Sequence, residues 1–135
     1  MGFFSRKTKA PNLQLPDALA QQADLQYGHQ DFAGAMETYA EGIDKIHTMC
    51  VVASASSRIR TLGPGDQGIL DGFNSSLGAT LAMEPRREVA SLVQRTLGYL
   101  REIANEAGNE VGRYLQAIDA IETTYRLGKG QRADP

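Results

Sequence analysis

The chain has 135 residues, 41% hydrophobic and 22% charged, and its 14 Lys and Arg against 16 Asp and Glu leave a net charge of −2. That balance fits one compact domain with a core and excludes wholesale disorder. It supplies no global basic field to hold a nucleic acid by counterion release, and one Cys makes neither an internal disulfide nor a Cys-rich zinc site.

The N-terminus runs Met1-Gly2-Phe3-Phe4-Ser5-Arg6-Lys7-Thr8-Lys9. Its cations follow two aromatics and no apolar stretch comes after them, unlike a signal peptide. Gly2 lacks the Ser or Thr at position 6 that myristoylation wants, because Arg6 stands there. The longest apolar run, Met49 to Ala53, is far short of the ~20 residues that cross a bilayer. We therefore expect a cytoplasmic protein with no integral membrane segment. Its expected parts are a flexible basic tail at 1–12, one helical domain at 13–127 and a flexible tail at 128–135. Residues 13–50 carry −5, beside the +3 of residues 1–12. Such asymmetry favours a cationic partner or the tail itself, although a solvated helix face accounts for the same charges.

Leu15-Pro16-Asp17 reads as a helix start, with Asp17 as the cap or within the first turn. Ala18, Leu19, Ala23 and Tyr27 give this helix a short apolar face, and Gly28 stops it. Asp31 can cap a second helix, whose apolar residues Phe32, Met36, Tyr39, Ile43, Ile46, Cys50 and Ala53 step 4 and 3 alternately. That helix fades through Ser54 to Ser57 and ends before Gly63. Gly63-Pro64-Gly65-Asp66-Gln67-Gly68 is a break, and no Gly-Lys-Ser/Thr follows to make it a phosphate loop. Ile69, Leu70, Phe73, Leu77 and Leu81 mark a third helix, carrying glycines at 68, 72 and 78 that permit close approach of another helix or a ligand. Glu84-Pro85 opens a fourth, since proline suits the first helical position.

The strongest pattern lies in that fourth segment. Val93, Leu97, Leu100, Ala104, Ala107, Val111, Tyr114, Ile118, Ile121 and Tyr125 step 4 and 3 without a miss. A continuous helix over 85–127 would be about 60 Å long, longer than a domain of this size is wide. Either it protrudes and pairs with another chain, or it breaks near Gly108-Asn109 into an antiparallel hairpin. The unbroken register favours continuity. No alternating apolar run competes for a strand, so the fold class is all-α, with four helices, or five if the last divides.

Residues 17–47 resemble a single tetratricopeptide repeat, a helix–turn–helix unit of 34 residues. Leu19, Ala23, Ala35, Tyr39 and Gly42 stand at its large and small positions, and Gln30-Asp31-Phe32 falls at the turn in place of Gly-Asp-Tyr. Gln22, Gln26 and His47 depart from the pattern, and the proline lost at His47 implies a longer second helix. The same residues resemble the first two helices of microtubule-interacting-and-transport domains, which are three-helix bundles. An isolated repeat cannot bury its own face, so the other helices must cover it. Both families bind peptides or helices without catalysis. By that resemblance the ligand-facing positions are Ala20, Asp24 and Tyr27, although for Tyr27 alone packing inside the hairpin is the favoured reading. The acidic hairpin implies a basic or amphipathic partner helix.

Chemistry-bearing groups do not converge in the sequence. His29 and His47 lie apart, and His47 with Cys50 supplies two ligands where a metal site needs more. Cys50 occupies a core position, and Ser54, Ser56 and Ser57 lack a nucleophile elbow. We expect no enzyme activity, metal or cofactor. Glu102, Glu106 and Glu110, four apart, form an acidic ridge that Arg101 and Arg113 are placed to relieve, and Arg86 and Arg87 crowd a helix N-terminus. The reading is a protein-interaction adaptor, expected to be a homo-oligomer. It would bury the seam of Leu100 and Ile118 against a partner helix, flanked by Glu102, Glu106 and Glu110. Two alternatives are a structural subunit of a secretion or phage-like assembly and a helical small-molecule sensor. The WXG-type hairpins are set aside because the chain has no Trp.

Overall fold

The computed structural model describes residues 11–56 and 63–133. Among them are five α-helices and no strand: α1 (Pro11–Gly28), α2 (Phe32–Ala55), α3 (Pro64–Leu81), α4 (Arg86–Glu106) and α5 (Val111–Ala133), with a single 3₁₀ turn at Gly108–Glu110 between the last two. The tail expected at 1–12 lies outside the described residues up to position 10. α1 starts at Pro11 and carries Pro16 inside it, earlier than the start read at 15–17. At the other end α5 continues to Ala133, past the boundary expected at 127.

The turn between α1 and α2 is made by backbone chemistry. Asp31 N–H donates to the Gln26 carbonyl and Gln30 N–H to that of Tyr27, both at 2.9 Å, the paired pattern that closes a helix C-terminus. Gln30 holds the left-handed position at φ 67. Gly28, read as the stop, is instead the last helical residue. Asp31 then caps α2, its carboxylate accepting from Gly34 N–H at 3.1 Å. Across the hairpin, Tyr39 donates its hydroxyl to Asp24. The Thr38 hydroxyl donates to Gln26 Oε1 at 2.6 Å.

α3 begins inside the expected break. Pro64 takes the first helical position, and Asp66 reaches back to accept from Gly63 N–H at 3.1 Å. α4 is preceded by Pro85 as its cap residue, one position before the expected role.

α2, α3, α5 and α4 form the four sides of a bundle in that order around the ring, and α1 lies over the α2–α3 edge. Gly42 against Ile69 and Gly72 against Tyr39 make α2 and α3 antiparallel. Arg101 with Glu122, and Arg86 with Tyr125 at 3.1 Å, make α4 and α5 antiparallel. The chain crosses the diagonal between α3 and α4, so α4 runs parallel to α2, with the His47 and Tyr99 rings 5.0 Å apart. α3 and α5 are likewise parallel, joined where Thr124 donates to Asn74 at 2.6 Å. The core is apolar and shared by all helices, with Met36, Ile43, Ile46, Ile69, Phe73, Leu77, Leu100, Ile103 and Ile121 sealed from solvent.

The continuous C-terminal helix is not formed. α4 ends at Glu106, Gly108 takes φ 58, and α5 returns antiparallel. Glycine takes that dihedral with least strain, which suits Gly108 to the reversal. Val93, Leu97, Leu100, Ala104, Ala107, Tyr114, Ile118 and Ile121 are all buried within the protomer, and Val111 and Tyr125 pack at its edge. The seam that called for a second chain is covered by the chain itself, which removes the ground on which a homo-oligomer was expected.

Candidate functional site

The site residues read from the sequence scatter over three environments. Leu100 and Ile118 are 0% and 7% exposed. They hold the core together and meet no partner in this conformation, a correction that follows from the fold-back at Gly108. Glu102, Glu106 and Glu110 do not form one ridge, because α4 stops at Glu106 and Glu110 belongs to the 3₁₀ turn. Glu102 pairs with His47 Nε2 at 2.6 Å, and Glu110 lies 3.6 Å from Arg113. Arg101 turns away to Glu122. Glu106 stays exposed.

The positions carried over from the repeat resemblance are also engaged within the chain. Ala20 packs against the core. Asp24 is exposed but accepts the Tyr39 hydroxyl. Tyr27 packs edge-on to Phe32, ring centroids 5.0 Å apart. Burial, the bond to Asp24 and that carboxylate's charge push the Tyr39 phenol well above the usual tyrosine range, so it remains a neutral donor.

A different surface has the features of a binding site. Between the parallel helices α2 and α4 lies a groove of about 530 Å³. Its floor is apolar: Met36, Ala40 and Val89 are buried, and Leu92 and Tyr99 half-buried. One rim carries Glu37, Glu41 and Asp44 of α2, and the other carries Glu84 and Glu88, with Arg95 further along. Five carboxylates thus line the groove against one guanidinium. Glu37 and Glu41 stand four apart on one face of α2, while Glu84 lies in the connection before α4 and Glu88 in its first turn. Glu37, Glu41, Glu84 and Glu88 are exposed. Glu88 has Arg87 only at 3.9 Å.

This groove went unread in the sequence because it exists only where α4 lies beside α2, a contact set by the diagonal crossing. The acidic pairs four apart were its only trace. Two smaller hollows lie among the described residues, about 200 Å³ between α3 and α5 and about 190 Å³ beside Phe32 and Met83, the latter sharing Ala33 and Glu84 with the main groove. Cys50 is buried on α2. The glycines of α3 serve helix packing at Gly72, where the Tyr39 ring fills the space. Among the described residues no helix is long and apolar enough to cross a membrane. No known family, curated protein or solved structure matches this chain.

Proposed function

We propose that the protein is a non-catalytic helical interaction module, an adaptor that receives a segment of another protein in the groove between α2 and α4. The observation that carries the reading is the pairing of an apolar floor with rims of one charge sign. The floor rewards burial of apolar side chains, at about 25 cal/mol per Å² removed from water. The rims select a cationic segment and speed its encounter, an effect that salt screens. The reading keeps the expected class of function and moves its surface from the Leu100 and Ile118 seam to the groove.

The test is binding of a synthetic basic amphipathic peptide, followed by fluorescence anisotropy at low and high salt. Reversing the rims in two double variants, Glu37→Lys with Glu41→Lys and Glu84→Lys with Glu88→Lys, should each weaken binding about tenfold or more. Asp119→Lys, an exposed reversal on α5, should change affinity less than twofold. Equal affinity for wild type and both rim variants, with thermal melts unchanged, would refute the groove as the binding surface.

A further inference from the structure

We infer that the occupant of this groove is an amphipathic helix running antiparallel to α2 and α4, with its cations in its C-terminal turns; the inference rests on the groove reading above. Three features set the direction.

The first is the field of the walls. α2 and α4 are parallel neighbours, so their positive N-terminal ends lie side by side, as do their negative C-terminal ends. A third helix laid between them gains from both dipoles only when it runs the opposite way.

The second is a gradient of charge along the groove. Tyr99 packs on His47 and stands 52 positions after it. That offset sets Glu37 level with Val89, beside Glu88, and sets Phe32 level with Glu84. It also sets Asp44 level with Thr96, beside Arg95. Arg95 thus lies level with Asp44 and close to Glu41 at one end, while Glu37, Glu84 and Glu88 cluster toward the N-terminal end, where Arg87 approaches Glu88 only to 3.9 Å. Beyond Arg95, Glu102 is already paired with His47. The partner's cations belong at the end where α2 and α4 begin.

The third is a property of helices in general: cations are favoured in the last turn and acids in the first. A helix antiparallel to the walls puts its last turn against Glu84 and Glu88 and its first turn against Arg95, so its own dipole agrees with the groove. The reverse orientation sets all three against one another. From Glu84 to Tyr99 the groove is about 22 Å long at 1.5 Å per residue, room for roughly four turns.

Three synthetic peptides of roughly 15 residues test this on the full chain. The parent carries a leucine stripe at helical spacing with lysines in its last two turns. The second is its reversed sequence, and the third a scrambled version with the same composition. The parent should bind at least about fivefold more tightly than the reversed peptide, each dipole contribution being worth about two- to fivefold. A nitroxide on the parent's N-terminus should broaden the amide signals of His47 and Tyr99, and one on its C-terminus those of Ala33 and Glu88. Equal affinities for parent and reversed peptides, or broadening in the opposite sense, would overturn the orientation. A scrambled peptide that binds as tightly would overturn the helix, while groove signals that still shift would leave the interaction reading standing. If no peptide shifts any groove signal, the interaction reading itself falls.

Discussion

Gly72→Ala and Gly68→Ala sit one helical turn apart on α3 and should move stability in opposite directions. Ala exceeds Gly by about 1 kcal/mol in a helix interior. At Gly68 a new methyl meets nothing within 4 Å, so that gain survives. At Gly72 the methyl would come within 2.8 Å of Cδ1 of Tyr39, and closer still to Cε1 and Cζ. Tyr39 is 3% exposed and tied by its hydroxyl to Asp24, so the ring has nowhere to go. Overpacking of this kind costs about 1–3 kcal/mol, which outweighs the propensity gain. The propensity gain is common to both, so the two variants should differ by the overpacking cost of about 1–3 kcal/mol, or roughly 3–12 °C in Tm for a domain of this size. Urea unfolding followed by circular dichroism measures this directly, with an unchanged slope showing that only stability moved. Replacing Tyr39 by Leu in the Gly72→Ala background should recover part of the loss, since the two sites are in contact. A Gly72→Ala protein as stable as Gly68→Ala would refute the close approach of α2 and α3.

Leu100→Ala and Ile118→Ala should each cost about 2–5 kcal/mol and melt the whole bundle cooperatively, and sedimentation of the folded fraction should show no change of mass from wild type. Gln30→Gly should stabilise by about 1 kcal/mol, because φ 67 strains a side chain and suits glycine, a gain read from the denaturation midpoint. Tyr39 also sets an alkaline limit. Its folded pKa is raised above the ordinary 10.0 by burial and by Asp24. The stability it contributes is thus complete below pH 10 and falls as pH climbs beyond it. Tyr39→Phe should lose about 1 kcal/mol at neutral pH and show a shallower decline above pH 10 in melts run across that range.

The helices were legible because each buries a single stripe. The alternating steps from Phe32 to Cys50 predict which side of α2 faces inward, and Met36, Tyr39, Ile43, Ile46 and Cys50 are buried there. Asp31 as the cap of α2 follows from local chemistry alone, and its carboxylate does bond Gly34. The reversal at Gly108 was not legible from spacing. Both arms of the α4–α5 hairpin present their stripe to one core, so the steps pass from Ala104 through Ala107 and Val111 to Tyr114 as they would in a straight helix. Periodicity records which face is apolar and is silent on whether the axis turns. Only the length of the straight form argued for a break. The groove was still less legible: nothing in Glu37 and Glu41 says that Glu84 and Glu88 will stand opposite them. That depends on a chain crossing four residues long, 82–85, whose path is decided by packing.

The short reversal at 107–110 makes the bundle a hinge away from a second arrangement. Straightened, α4 and α5 would become one rod of about 70 Å, and the site that α5 vacates could be filled only by the same helix from another molecule. The exchanged pair would bury the same Leu100, Tyr114 and Ile118 against the same neighbours. What separates the two arrangements energetically is therefore confined to a few backbone dihedrals and to protein concentration. In this chain the left-handed Gly108 marks the place where such an exchange would begin.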